Sequence, residues 1–160
     1  MTKEQLGSVI LEAETTLWRI AKTMLRSDDD CADAIQNAIV KAFSKLHTLR
    51  EEHYVKTWLI RILINECHTL QRRNGAVRYM MDTPAEEPCA EQTDYSDLYD
   101  ALMRLPDNMR IMVTLHYLEG YRVREIASLL HTTESAVKNC LFRARNQLRR
   151  DLGETEAVNL

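Results

Sequence analysis

Glycine, proline and long apolar runs are scarce in this sequence of 160 residues. Four glycines and three prolines leave few places where a helix must break. No apolar run approaches the ~18 residues that a membrane-spanning helix requires. The polar start Met1–Gln5 also lacks the basic-then-apolar order of a signal peptide. We therefore expect a cytoplasmic protein without a membrane span.

Patterns that carry covalent or metal chemistry are also missing. The cysteines Cys31, Cys67, Cys89 and Cys140 include no Cys-x-x-Cys pair, so we expect reduced thiols rather than a disulfide framework or a zinc site. The polar run Ser27–Asp30 contains three aspartates but lacks the Gly and downstream Glu of a calcium loop, and it is predicted to cap a helix. No Ser-His-Asp set, phosphate-binding glycine loop or His-Glu-x-x-His pattern is recognisable. We expect no enzymatic activity, cofactor, metal ion or small-molecule substrate.

Helix-forming residues dominate what remains, and they predict an all-α fold. Apolar residues at steps of three and four predict one long helix between Leu6 and Met24, a second after Asp30, and a third from about Tyr54 to Arg73. A short helix follows near Leu98, and Pro106 begins another that ends at Gly120. The residues predicted to face inward in this last helix are Ile111, Met112, Leu115 and Leu118.

Charge is distributed unevenly, although the net charge is only -3. The stretch 79–100 carries seven acidic residues and no Lys or Arg, whereas the stretch 138–150 carries five basic residues and no acid. Two prolines and little hydrophobic periodicity predict that the acidic stretch is a flexible linker. We therefore expect two small helical domains, at 1–78 and 97–152, joined by an acidic linker at 79–96 and followed by a tail at 153–160.

The stretch Val123–Arg150 has the pattern of a helix-turn-helix that binds DNA. Its first helix has an apolar inner face, His131–Thr133 forms the turn, and Thr133 is suited to cap the second helix. The second helix is predicted to bury Val137, Leu141, Ala144 and Leu148. Its opposite face carries Ser135, Asn139, Phe142, Arg143, Asn146 and Arg150, with Lys138, Arg145 and Arg149 beside it.

That outer face favours DNA binding over an ordinary solvated surface. Phe142 can contact thymine methyl groups, and the basic and amide side chains suit phosphates and purine edges in the major groove. A helical hairpin with a solvated basic face is the alternative.

The third helix is predicted to have two distinct sides. Its broad apolar side is formed by Val55, Leu59, Ile62, Leu63, Glu66 and Leu70. A polar edge of Thr57, Arg61, Asn65, His68 and Arg72 fits either a DNA-binding surface or an ordinary solvated face. Trp58 beside this edge fits either the core or the edge.

Several short motifs now point to one family. They are Asp33-x-x-Gln36-Asn37, Thr57-Trp58-Leu59-Ile60-Arg61-Ile62 with Asn65, Glu125-Ile126-Ala127, Val137-Lys138 and Phe142-Arg143-Ala144-Arg145. In this order and spacing, the chain resembles a bacterial sigma factor of the extracytoplasmic-function (ECF) type in the sigma-70 family. The resemblance extends from Leu17 to Leu152. It departs from the family pattern at Asn37, where glutamate is frequent, and at His131, where glycine is usual.

The resemblance implies a transcription initiation factor with a sigma2-like and a sigma4-like domain. Its partners are expected to be promoter DNA, the beta-prime clamp helices and beta flap of core RNA polymerase, and an anti-sigma factor that can be linked to the membrane. The residues expected to bind core polymerase are Asp33, Gln36, Asn37 and Lys41. The minus-ten element is expected to be captured and melted. The residues expected to do this are Tyr54, Lys56, Trp58, Arg61 and Asn65. Those expected at the minus-thirty-five element are Thr133, Ser135, Lys138, Asn139, Phe142 and Arg143.

A helix-turn-helix regulator that never acts as a sigma subunit is the main alternative. Such a regulator with a receiver domain would need alternating strands and helices, and the first eighty or so residues lack that pattern. A helical interaction module or an RNA binder that uses the same basic helix is a more distant alternative.

Overall fold

The computed structural model of the chain describes residues 1–81 and 96–153, and within these ranges the fold is entirely helical. The chain divides into two compact units, Met1–Pro88 and Cys89–Leu160. The predicted all-α class and the two-part organisation are therefore confirmed. Most of the predicted acidic linker, residues 82–95, lies outside the described residues.

The described part of the first unit, residues 1–81, contains four α-helices, and two short 3-10 turns connect the last two. The helices are α1 (Lys3–Glu12), α2 (Glu14–Met24), α3 (Asp28–Ser44) and α4 (Val55–Met81), and the turns are Leu46–Thr48 and Glu52–Tyr54. Helix α4 continues past Arg73, where the sequence predicted its end. It packs against both α2 and α3, with Leu59, Leu63 and Cys67 wholly buried.

The single long helix predicted between Leu6 and Met24 is wrong, because the chain breaks at Ala13. This residue is buried, has φ -89° and ψ 0°, and separates α1 from α2. An interruption confined to one residue leaves the apolar spacing unchanged, which is why periodicity did not reveal it. Ser27 caps α3 as predicted, since its hydroxyl accepts a hydrogen bond from the Asp30 backbone N–H at 3.2 Å.

The second unit contains α5 (Ser96–Arg104), α6 (Asp107–Val113), a π-helix (Thr114–Leu118), α7 (Val123–Leu129) and α8 (Glu134–Leu152). The π-helix was not predicted. Its wider turn changes the direction in which the following side chains project. Leu118, predicted to face inward, is consequently 55% exposed. Gly120 ends this segment with φ +75°, a backbone conformation that favours glycine.

One buried charge fixes the junction between α5 and α6. Arg110 is 1% exposed, and its guanidinium donates to the carbonyl oxygens of Met103 at 3.0 Å and Leu105 at 3.1 Å. It also pairs with the Asp107 carboxylate. Carbonyl groups at the end of a helix carry partial negative charge, so they and the carboxylate together compensate the burial of the cation.

Candidate nucleic-acid interface

Helix α8 separates an apolar face from a polar one along its length. Val137, Leu141, Ala144 and Leu148 are all buried against the rest of the second unit, as the sequence predicted. On the exposed side, Phe142 leaves 59% of its surface accessible. An aromatic ring that remains open to water while smaller apolar residues are buried is suited to contact a partner.

The predicted DNA-contacting side chains around this ring are accessible. Ser135, Lys138, Asn139 and Arg143 are all exposed on α8. They combine a hydroxyl, an amide and two cations, groups that can donate to phosphate oxygens and to the acceptors on purine edges. The surface therefore has the chemistry that binding in a major groove requires.

Thr133 has a structural role within the protein, independent of any contact with DNA. It is the N-cap of α8, and its hydroxyl oxygen accepts a hydrogen bond from the Ala136 backbone N–H at 3.1 Å. The predicted cap is thus confirmed. Its hydroxyl oxygen is committed to holding the first turn of the helix.

His131 adopts the left-handed conformation that the family's usual glycine would occupy. Its φ is +54°, and among the described residues it is the one non-glycine with positive φ. Residues other than glycine reach this region at a cost in free energy, although His does so more readily than most. The helix-turn-helix is therefore built around a strained turn.

Two further cations lie at the start of α7 and were not singled out from the sequence. Arg122 and Arg124 are exposed, and the Arg122 backbone N–H donates to the Glu125 carboxylate at 3.2 Å. The first helix of a helix-turn-helix commonly crosses the DNA backbone. Their position directly before and beside the Glu125-Ile126-Ala127 motif is the signal that would have identified them.

In the first unit, an exposed pair of rings precedes α4. Tyr54 is 57% exposed, and its ring lies 4.0 Å from that of His53 between centroids, with the planes tilted by 40°. Tyr54 was predicted as a minus-ten residue, whereas His53 was not named individually. Exposed aromatic rings provide stacking surfaces for unpaired bases.

The polar edge of α4 is only partly open. Lys56 and Asn65 are exposed, whereas Trp58 and Arg61 are half-buried. Arg61 also has an interaction within the protein. Trp58 and Arg61, two of the predicted minus-ten residues, thus expose only part of their side chains to a partner.

Helix α3 presents a separate polar face. Asp33, Gln36 and Asn37, which the sequence resemblance assigns to polymerase binding, are exposed on it. Val40 lies on the same side, three residues beyond Asn37, and is 67% exposed. Val40 was not identified as exposed from the sequence, because α3 contains many apolar residues and nothing in the sequence distinguishes this one from those that are buried.

Lys41 is already paired within the first unit. Its ammonium donates to the carboxylate of Glu66, a side chain on α4 that is only 7% exposed. The sequence placed Lys41 on the polymerase face and Glu66 on the apolar side of α4. The structure brings the two together between α3 and α4, a contact that no local pattern could predict.

Burial keeps the thiols neutral. It raises the pKa of Cys67 to about 12 and that of Cys31 to about 11, with a further contribution to Cys31 from the charge of Asp28. Burial also raises the pKa of Cys140, against the opposing effect of Arg143. These thiols are therefore poor nucleophiles near neutral pH.

The described parts of the chain were searched for metal-ion sites and for membrane-spanning helices. Within residues 1–81 and 96–153, no group of three His, Cys, Asp or Glu side chains is arranged to hold a metal ion. Over the same ranges, none of the helices combines the length and apolar character needed to cross a bilayer.

Two family models match the chain, one in each unit. The model of sigma-70 region 2 matches residues 10–77, and the model of sigma-70 region 4 matches residues 95–148. The first therefore covers α3 and the exposed ring pair, and the second covers the helix-turn-helix.

Sequence relatives match most of the chain. The RNA polymerase sigma factor SigV of Bacillus subtilis is 29% identical over 151 residues, which span 92% of this chain and 91% of that protein. The ECF RNA polymerase sigma factor SigM of Mycobacterium tuberculosis is 34% identical over 143 residues, 86% of this chain and 71% of that protein.

Solved structures show the same fold. The sigma factor RpoE of Bartonella quintana, crystallised with the anti-sigma factor NepR, matches with a TM-score of 0.85 and 23% identity, over 96% of this chain and 99% of that one. The structure of CnrH in complex with the cytosolic domain of CnrY matches with a TM-score of 0.71 and 21% identity, over 97% and 92% of the two chains.

Proposed function

The chain belongs to the ECF group of the sigma-70 family and acts in transcription initiation, and on this basis we propose which of its surfaces perform each step. The observation that carries the proposal is the presence of three exposed and chemically different surfaces, two on the first unit and one on the second. Binding free energy drives promoter opening, and polymerase supplies the chemistry of RNA synthesis.

Helix α8 recognises the upstream, minus-thirty-five element. Phe142 contacts base edges, while Lys138, Asn139 and Arg143 bind phosphates and purine acceptors beside it. The burial of the opposite face of α8 supports this assignment, because it leaves the helix one orientation in which to meet a groove. Ser135 adds a hydroxyl near the start of the helix. Thr133 acts mainly by capping the helix.

The surface before and along the start of α4 captures the minus-ten element. The His53–Tyr54 ring pair stacks on bases that have left the duplex, and Lys56 and Asn65 hold the strand beside them. Because a protein ring can stack only on a base whose face is no longer covered by its neighbours in the duplex, this binding shifts the equilibrium of the promoter towards its melted form. Arg61 and Trp58 are half-buried and support this surface from its edge.

The exposed face of α3 docks on the clamp helices of core polymerase. Asp33, Gln36 and Asn37 form its polar part, and Val40 provides an apolar contact among them. Lys41 acts indirectly, by holding α3 against α4 through Glu66. The beta flap is the expected contact of the second unit.

An anti-sigma factor regulates the chain. The support comes from the two structural neighbours, whose structures were solved with NepR and with the cytosolic domain of CnrY. Such a partner can be linked to the membrane while the sigma factor itself works in the bacterial cytoplasm, where polymerase and promoter DNA are found.

Reconstitution with bacterial core polymerase tests the function. The chain should bind core polymerase and start transcription from promoters selected out of a random library, and the selected promoters should share two separated elements. Asp33→Ala with Gln36→Ala should weaken core binding and leave selection of the upstream element unchanged. Absence of core binding together with sequence-specific binding to free DNA would instead establish a regulator that is not a sigma subunit.

A further inference from the structure

The π-helix Thr114–Leu118 contacts the recognition helix through a side-chain hydrogen bond. Arg145 of α8 donates through its Nη1 to the hydroxyl oxygen of Tyr117, at 3.0 Å. Both side chains are half-buried. The contact joins residues that lie far apart in the sequence and ties the middle of α8 to the segment that precedes α7.

The same π-helix also contacts the entrance to α7. The His116 ring lies 4.8 Å from the Tyr117 ring, with its plane at 80° to it. Its Nδ1 lies 2.9 Å from the carbonyl oxygen of Tyr121, and because a carbonyl only accepts, Nδ1 carries the proton and donates. Tyr121 immediately precedes Arg122, the N-cap of α7.

Arg145 lies at the border between the two faces of α8. It follows Phe142 by three residues and Lys138 by seven, so it projects from the same stripe of the helix. It is half-buried, whereas Phe142 and Lys138 are exposed. The hydrogen bond that its guanidinium makes with Tyr117 can therefore fix how α8 is rotated, and with it the direction in which Phe142 and Lys138 project.

The segment that carries both side chains departs from regular α-helix. The Glu119 backbone N–H donates to the Thr114 carbonyl at 3.1 Å, across five residues rather than four. Within it, the His116 side chain contacts the backbone before α7 and the Tyr117 side chain contacts α8. Single π-turns of this kind are frequently found at functional sites.

We propose that His116, Tyr117 and Arg145 form a positioning relay that fixes the orientation of recognition helix α8 relative to α7. None of the three needs to touch a base. The relay acts on recognition of the upstream element, and it therefore rests on the function proposed above for α8. Its three residues are positioning residues, and no metal or small molecule takes part.

The test compares two DNAs with the complete holoenzyme. One is a promoter with both elements, and the other is a fork junction that carries the minus-ten element without the upstream one. Tyr117→Phe keeps the ring and removes the hydroxyl. We expect it to lower affinity for the complete promoter about three- to tenfold, the effect of one hydrogen bond, and to leave the fork junction unchanged.

Two further variants separate positioning from other roles. Arg145→Met keeps the apolar stem and removes the guanidinium, and its combination with Tyr117→Phe should weaken binding no more than Arg145→Met alone. Tyr99→Phe is the matched control, because Tyr99 lies on α5 of the same unit and is 40% exposed. It should have no effect on either DNA.

Each contrary result has a distinct meaning. Additive losses of promoter affinity in the double variant, Arg145→Met with Tyr117→Phe, would overturn the relay. It would also be overturned if Tyr117→Phe, like Tyr99→Phe, had no effect on the affinity for either DNA. Equal losses on both DNAs with a lower melting temperature would also overturn it, because they indicate general destabilisation. A wild-type holoenzyme that gains nothing from the upstream element would overturn the function proposed for α8 as well as the relay.

Discussion

Lys41 and Glu66 form an ion pair that joins α3 to α4, with the carboxylate 7% exposed and the lysine side chain 52% exposed. A carboxylate in this position depends on its partner, because an unpaired charge away from water is strongly disfavoured. The lysine that the sequence assigned to a binding face thus contributes first to the packing of the first unit. Stability measurements can separate these two roles.

Lys41→Met should destabilise the first unit by about 1 to 3 kcal/mol, since it leaves Glu66 buried without its cation while keeping the apolar stem. The double variant Lys41→Met with Glu66→Met should recover a large part of this loss. Urea unfolding followed by tryptophan fluorescence measures this selectively, because Trp18 and Trp58, the chain's two tryptophans, both lie in the first unit.

Lys45→Met is the matched control for this pair, because Lys45 is exposed at the end of α3. It should change the free energy of unfolding by a few tenths of a kcal/mol at most. If Lys41→Met also proves neutral and only core binding falls, Lys41 contacts polymerase directly and the pair is of little structural consequence.

Thr133→Ala should loosen the first turn of α8 by about 1 kcal/mol, because the Ala136 N–H loses its acceptor. Thr133→Ser retains that acceptor and should keep both the protection of the turn and the affinity for the upstream element. Hydrogen exchange of peptides that cover 133–141 in the full chain gives the measurement. Reduced DNA affinity in the alanine variant with unchanged exchange would indicate a contact to DNA in place of a capping role.

The recognition helix shows which parts of the site the sequence could predict. The burial of Val137, Leu141, Ala144 and Leu148 follows from spacing alone, because α8 is long, regular and buried on one side. His131 was identified as a residue in a glycine position, and its φ of +54° agrees. Where local geometry is regular, periodicity and turn chemistry determine which side chains face a partner.

The errors occur where regular α-helix is interrupted or where distant residues meet. The break at Ala13 and the π-helix Thr114–Leu118 leave the apolar spacing of the sequence unchanged, so spacing rules cannot detect them. Glu66 was placed correctly on the inner side of α4, but its partner comes from another helix. Tertiary pairing of this kind is specified by packing and lies beyond any local pattern.

Lys138→Ala and Arg143→Ala should each lower the affinity of the holoenzyme for the upstream element about tenfold, because each removes a cation from the exposed face of α8. Where the lost contact is to a phosphate, the dependence of affinity on salt should also become shallower by about one unit of slope. Filter binding over a range of salt concentrations provides both quantities. Core affinity should not change.

Arg104→Ala offers a comparison of equal charge, since Arg104 is exposed on α5 rather than α8. Its effect on affinity and on salt slope should be small. Losses equal to those of the α8 variants would mean that general positive charge, rather than the face of α8, determines binding.

The first unit should lose stability as pH rises above 9. Burial raises the pKa of Cys67 from 9.0 to about 12, and burial aided by the Asp28 charge raises that of Cys31 from 9.0 to about 11. Above pH 9 the unfolded chain therefore releases thiol protons that the folded chain retains. This stabilisation is fully present below pH 9 and is lost as pH rises towards 11 to 12, at up to about 1.4 kcal/mol per pH unit for each thiol.

Urea unfolding by tryptophan fluorescence at a series of alkaline pH values measures this slope. The Cys31→Ala with Cys67→Ala variant should start from a lower stability, because it leaves small cavities, and decline less steeply with pH. Parallel declines in the two proteins would show that other groups account for the alkaline loss.

His131→Gly should stabilise the second unit by up to about 1 kcal/mol, because glycine occupies φ +54° without the steric cost that a side chain meets there. His131→Asn should be close to neutral, and His131→Val should be destabilising, since a branched side chain tolerates this conformation least. The order Gly, then Asn and His, then Val should be found in the melting temperature of the full chain and in the hydrogen-exchange protection of α7 and α8. A valine variant as stable as the wild type would show that the turn between the two helices relaxes easily. The helix-turn-helix would then owe its geometry to the buried residues of α8 rather than to the backbone at His131.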